Sequence, residues 1–256
     1  MRVNPSDPTP AYIQIADDLR RAIERDELRD GAPLPSLRQM EEEYGASAGT
    51  VRQALDQLRS EGIIMTRQGQ GTYVRKPRRL RREGTSRHLR SQRQPGTAPL
   101  EAEAQDQNFQ RGQDLLEVTT GPAPADIAHR LRLPPESSVV IRRHLLTLDG
   151  EPAQTADSYF PAEIVRGTPI AQSEKIPGGV HAELARILGV TLSHATEDLI
   201  ARMPTPTEAR TLRLPPGTPI VDLTRTIYAQ DHNPVEVTRF IFDGSRHLFT
   251  YRVPMD

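Results

Sequence analysis

The sequence predicts an α+β chain of two domains: a small helical one ending in a hairpin, and a larger one built on a mainly antiparallel sheet. Three observations carry this. Residues 12–58 are apolar at helical spacing in three blocks, broken at Asp30-Gly31 and at Gly45. Arg67 to Val74 reads as a strand, a glycine turn and a returning strand. Beyond residue 114, strand-like runs alternate with short helices closed by proline.

Residues 1–9, rich in proline and aspartate, are expected to be a loose arm. Tyr12, Ile15, Ala16, Leu19 and Ile23 then form one helical stripe. Ser36 caps a second helix carrying Leu37, Met40 and Tyr44, and Gly45 stops it. Ser47 caps a third, whose stripe of Val51, Ala54, Leu55 and Leu58 ends before Gly62. At about 100° per residue, the opposite side presents Gly49, Arg52, Gln53 and Asp56, with Thr50 on its flank. Arginine and glutamine suit the edges of guanine and adenine, and a glycine lets two backbones come close. The following hairpin, Arg67-Gln68-Gly69-Gln70-Gly71, has a tip able to approach phosphates; no helix follows it, as a nucleotide-binding glycine loop would need. Together these read as a winged helix-turn-helix, a DNA-binding domain over 1–76, with candidate contacts Ser47, Gly49, Thr50, Arg52, Gln53, Arg67, Gln68, Gly69, Gln70 and Gly71.

Pro10-Ala11-Tyr12-x-Gln14-Ile15-Ala16, Leu34-Pro35-Ser36-x-Arg38, Thr50-Val51-Arg52-x-Ala54-Leu55 and Gly69-x-Gly71-Thr72-Tyr73-Val74 together resemble the N-terminal domain of the GntR family of bacterial transcription regulators. The resemblance implies that Arg38, Arg52 and Gly69 approach DNA.

Composition removes other classes. The 256 residues contain no cysteine, so disulfide scaffolds, thiolate nucleophiles and cysteine-ligated zinc are out. No run of about 18 apolar residues exists, which predicts no membrane span, and the N-terminus lacks an apolar signal core, which predicts a cytoplasmic protein. The net charge is only −1, but it is unevenly spread. Between Gly62 and Arg93 ten basic residues face one acid, Glu83, the footprint that phosphates call for. Residues 77–93 within that run are expected to be a basic linker, too charged to bury themselves.

The remainder, 94–256, contains an internal echo. Ala128-x-x-Leu131-Arg132-Leu133-Pro134-Pro135 recurs 81 residues later as Ala209-x-x-Leu212-Arg213-Leu214-Pro215-Pro216. A strand, a turn (Asp149-Gly150-Glu151-Pro152, Asp231-His232-Asn233-Pro234) and a returning strand follow each copy. Two such units can share one sheet about a pseudo-twofold axis, with helices on one side and the stretches 197–203 and 247–253 extending it. Arg142-Arg143-x-Leu145, Ser158-Tyr159-Phe160-Pro161, Ala201-Arg202-Met203-Pro204-Thr205 and Pro234-Val235-Glu236 resemble the UTRA effector domain of the HutC branch of GntR regulators, a fold shared with chorismate lyase.

The resemblance implies effector binding and dimerisation in this domain, with candidate ligand residues Arg142, His144, Tyr159, His181, Glu236 and Thr238. Where sugar-phosphate-binding members place an Arg-x-Arg pair, this chain has His144 and Leu146, which argues against a sugar phosphate and for a polar or mixed small molecule. The expected protein is a homodimeric regulator, more a repressor than an activator. It would leave an inverted-repeat, double-stranded operator when its effector binds, and it would need no cofactor or metal. Two rivals remain. An enzyme of the lyase fold lacks any His-Glu-x-x-His or Gly-x-Ser-x-Gly, and the adjacent Glu197 and Asp198 point to opposite faces of a strand. A DNA-binding protein with an empty second domain would show no ligand response.

Overall fold

The computed structural model describes residues 2–67, 69, 71–84, 99–174, 176, 178–253 and 255. The chain forms two compact units, one of Met1–Arg78 with Leu214–Thr218, the other of Arg79–Arg213 with Pro219–Asp256.

In the first unit, α1 (Ala11–Glu24), α2 (Leu37–Tyr44) and α3 (Ala48–Ser60) precede a hairpin of β1 (Ile64–Arg67) and β2 (Gly71–Val74). The three predicted stripes close on one core: Ile15, Leu19 and Ile23 meet Met40 and Tyr44, then Val51, Ala54 and Leu58, with Ile64 and Val74 from the hairpin. Ser36 caps α2 through a reciprocal pair with Gln39, and Gly45 ends it in the left-handed conformation at φ 64°. The expected loose arm is instead pinned. Gln14 is buried in α1, and its amide needs partners there; it accepts from the Asn4 backbone N–H at 2.9 Å and donates to the Asn4 and Thr9 carbonyls.

The second unit is organised by a six-stranded antiparallel sheet containing β4 (Arg111–Pro122), β5 (Ser138–Leu148), β6 (Glu151–Pro161), β7 (Leu192–Arg202), β8 (Ile220–Ala229) and β9 (Pro234–Asp243), in the order β4-β5-β6-β9-β8-β7. That order expresses the sequence echo, because the chain runs β4, α5 (Ala125–Arg130), β5, β6 and then repeats as β7, α8 (Pro206–Thr211), β8, β9. The two halves join where β6 pairs with β9. Even the turn after each short helix is reproduced, with Arg132 and Arg213 at φ 54° and 50°.

Helices cover both faces of this sheet, not one. Val139 and Val140, neighbours on β5, necessarily face opposite ways. Val139 packs with Tyr159, Val237 and Ile127 of α5, whereas Val140 packs with Phe160, Val165 of α6 (Ala162–Val165) and Leu184 of α7 (Val180–Leu188). A further helix, α4 (Pro99–Asp106), sends Ala104 into a core with Leu146 and Leu80.

The basic stretch expected as a linker departs most from expectation. Leu80–Glu83 form β3, which pairs in parallel with β10 (His247–Thr250) in a separate two-stranded sheet, so 247–250 do not extend the main one. Alternation explains how so charged a run is accommodated: Leu80 and Arg82 turn inward while Arg81 turns to solvent. The Arg82 guanidinium is 2% exposed and lies 4.4 Å from the Phe242 ring centroid, with Phe240 and Phe249 at 5.8 and 5.7 Å and Glu103 at 3.9 Å. Aromatic faces and a carboxylate replace the water it gave up. The rest of the expected linker, 85–93, lies outside the described residues.

Candidate DNA-reading surface and ligand site

α3 presents its outer face as the spacing requires. Arg52 and Gln53 are exposed and make no hydrogen bond or ion pair among the described residues, while the opposite positions Val51 and Ala54 are fully buried. Ser47 is the N-cap; its hydroxyl accepts from the Thr50 N–H and lies 2.9 Å from the Thr50 hydroxyl. Gly49 is exposed, and a Cβ there would meet only Ser47 Oγ at 3.8 Å, so the fold itself does not demand glycine at that point. Arg38 on α2 is 87% exposed and paired with Glu42 at 3.1 Å, a solvated contact that contributes little to stability.

The hairpin beside α3 is anchored from its far side. Leu34 N–H donates to Thr72 at 2.8 Å and Val74 N–H to Ala32 at 2.9 Å, adding a third extended segment. Arg67 ends β1 opposite Gly71. Gly69 and Gly71 stand at φ 73° and 107°, in open space, where the tight tip needs glycine's freedom. Gln68 and Gln70 lie outside the described residues.

In the second unit the register places Arg142, Ser158, Thr238, Arg225 and Glu197 side by side across five strands, one row on one face. Hydroxyls occupy its centre: Ser158 Oγ is 2.8 Å from Thr238 Oγ1, which donates to Glu236 Oε1 at 2.7 Å. His181, in the first turn of α7, brings Nε2 to 3.1 Å from Glu236 Oε2. Burial alone would raise the Glu236 carboxyl, but His181, Thr238 and Arg225 outweigh it and hold the carboxyl below its ordinary value. At one end Arg225 Nε donates to Glu197 at 2.7 Å, and the Tyr251 hydroxyl donates to the same carboxylate at 3.0 Å.

At the other end Arg142 is 3% exposed and donates to the carbonyls of Pro169, Ile170, Gln172 and Glu174, holding that loop over the sheet. His144, on the same face, is kept neutral: burial, then the charges of Arg142 and Arg111, push its pKa down to about 4.

Five of the six predicted ligand residues therefore share this face. Tyr159 does not: it packs with Val139, Val237 and Ile127 on the opposite side, one residue out of phase with Ser158 and Phe160. Sequence reading missed Ser158, Arg225 and the 169–174 loop. Ser158 and Arg225 sit in register with residues it had found, yet nothing in the sequence gives the pairing across β6, β9 and β8. The expected separation of Glu197 and Asp198 holds, since Glu197 meets Arg225 while Asp198 meets Arg130, the last residue of α5, at 2.6 Å.

A helix pair with an exposed reading face and a glycine-tipped wing, joined to a duplicated sheet with a buried polar row, defines a transcription regulator of the ligand-responsive, two-domain class. The family model described as bacterial regulatory proteins, gntR family, matches residues 11–74, and that of the UTRA domain matches residues 106–247. The chain belongs to the GntR family of bacterial regulators, in the UTRA-bearing HutC branch. It is similar to an HTH-type transcriptional regulator of Streptomyces coelicolor, 30% identical with 94% of this chain and 92% of that one covered. The HTH-type transcriptional repressor NagR of Bacillus subtilis is 26% identical, with 98% of each covered. Among solved structures, a GntR-family transcriptional regulator superposes with a TM-score of 0.66 at 28% identity, covering 97% of this chain and 99% of that one. PhnF from Mycobacterium smegmatis shares the fold, with a TM-score of 0.59 at 24% identity, covering 94% and 100%. The function is transcriptional regulation through DNA, not catalysis.

Proposed function

We propose that this protein is a cytoplasmic repressor that grips an inverted-repeat operator as a homodimer and lets go when a small molecule binds the buried polar row of its sheet. The observation that carries the DNA half is the outer face of α3, where Arg52 and Gln53 are exposed and unpaired beside a glycine the fold does not need. Arg52 and Gln53 read bases; Gly49, Ser47 and Thr50 admit the backbone; Arg38, Arg67 and the wing tip, including Gln68, Gly69, Gln70 and Gly71, hold phosphates.

The effector contacts Arg142, His144, His181, Glu236 and Thr238, with Ser158 and Arg225 joining them and Tyr159 left out. A buried carboxylate held charged by a partly exposed histidine is a bistable contact: a ligand with its own donor can take the place of His181 on Glu236 and so prefer one arrangement of α7 over another. The relatives named as repressors support the sign of the effect.

Selection of bound fragments from a random DNA pool at near-physiological salt tests this. Enrichment of an inverted repeat is the expected result; recovery of unenriched DNA would show phosphate binding without base reading and would overturn the proposal.

A further inference from the structure

Arg225 belongs to the polar row, so its neighbour Thr226 on β8 turns to the opposite face of the sheet, the one that α5 covers. There Thr226 is 1% exposed, and its Oγ1 has no hydrogen-bond partner among the described residues. A buried hydroxyl left without a partner is costly, and the fold does not ask for one at this point. The duplicated half shows as much. Leu145 stands 81 residues earlier on β5 and opposes Thr155 of β6 as Thr226 opposes Val237 of β9, so an apolar side chain fills the matching place.

Thr226 and Tyr228 form the sheet side of a cleft of about 500 Å³, and Asp126, His129, Arg130 and Arg132 form its helix side. The charges around it do not cancel. Asp126 is taken by Arg239 at 3.2 Å and Arg130 by Asp198 at 2.6 Å. Arg132 instead donates to the His232 carbonyl at 3.2 Å, and no carboxylate pairs with it among the described residues. A carbonyl leaves the guanidinium its full charge and further donors to give. We propose that this cleft binds a small oxyanion, the carboxylate or phosphate group of a metabolite. Arg132 meets its charge, exposed His129 closes the rim, and the Thr226 hydroxyl donates to one of its oxygens. Rotation about χ1 alone re-aims that hydroxyl toward a bound oxygen and supplies the bond it lacks in the empty fold. The polar row lies on the other face, so this second site does not depend on what the row binds.

The chain has only seven histidines, so their ring-proton resonances can follow a titration of the full-length protein. Inorganic phosphate and, separately, acetate are added at fixed pH, with chloride holding the ionic strength constant. A saturable shift of the His129 resonance, assigned through His129→Gln, is expected, and the anion that acts at lower concentration identifies the bound group. Thr226→Val and Arg132→Gln should each weaken that binding about tenfold or more, the loss expected for a hydrogen bond to a charged group. Thr238→Val, on the polar row, should leave it unchanged. In chloride alone Thr226→Val should melt no lower than the parent protein, because it removes an unpartnered group and no bond. Absence of a saturable shift with both anions would make this a water-filled cleft and overturn the site. Undiminished binding by Thr226→Val or Arg132→Gln would place the anion elsewhere, and a lower melting temperature of Thr226→Val in chloride would make the hydroxyl structural; either result overturns the assignment.

Discussion

His247 illustrates how single residues set this protein's response to acid. It is 6% exposed, its Nδ1 lies 2.9 Å from the Asp243 carbonyl, and burial, then the charges of Arg82 and Arg246, bring its pKa down to about 3. The unfolded chain, with an ordinary histidine, binds the proton first as pH falls below about 6.5. Stability is therefore full above that pH and declines toward the folded pKa, with His247 alone costing about 2 kcal/mol by pH 5. His144 acts in the same direction. Urea midpoints between pH 7.5 and 5 should fall, and the slope should flatten in His247→Gln whatever that variant does to absolute stability. Arg52 belongs to the same scale. Arg52→Ala should keep its melting temperature but lose about 1–3 kcal/mol of discrimination between operator and mismatched sites, measured by competition binding.

At the scale of elements, the base-reading role proposed for α3 separates from its role in folding. Glycine in a helix costs up to about 1 kcal/mol relative to alanine, less in the first turn. Gly49→Ala meets no steric obstacle in the free protein. Its melting temperature should rise slightly while operator affinity drops, and a fall in both would mean that the glycine serves the fold. Ser36→Ala removes the α2 cap and should cost about 1 kcal/mol in chemical unfolding.

In the first unit, α2 and α3 were legible because a cap, a period and a stop agreed in each, α1 by its period and the wing by its glycines, and the duplicated strands were legible because the chain repeats itself. What stayed hidden was pairing between distant segments. Nothing in Leu80–Glu83 announces that its partner is His247–Thr250, and the phase of Tyr159 against Ser158 decides a face that only the register with β5 and β9 reveals. The candidate ligand site was half legible for the same reason: its residues were found one strand at a time, and the row exists only once five strands are aligned.

For the whole molecule, the basic run from the wing onward predicts steep salt dependence, with log affinity for any DNA falling linearly in log salt. The inward-turned Arg82 is not available for phosphate, so Arg82 should contribute nothing to that slope, whereas Arg78→Ala or Arg81→Ala can lower it. A metabolite that binds the polar row should raise the melting temperature, by the equivalent of about 2.7 kcal/mol at a hundred times its dissociation constant, and Thr238→Val should abolish the rise.

The strand Leu80–Glu83 also decides where the chain can be cut. A fragment opening at residue 94 would leave β10 without its neighbour and three phenylalanines, Phe240, Phe242 and Phe249, around a hole the size of an arginine head group. Such a piece should melt broadly and bind hydrophobic dye, while one opening at Arg79 should unfold in a single sharp transition. The second compact unit thus begins at Arg79, inside what reads, in sequence, as the basic linker over 77–93.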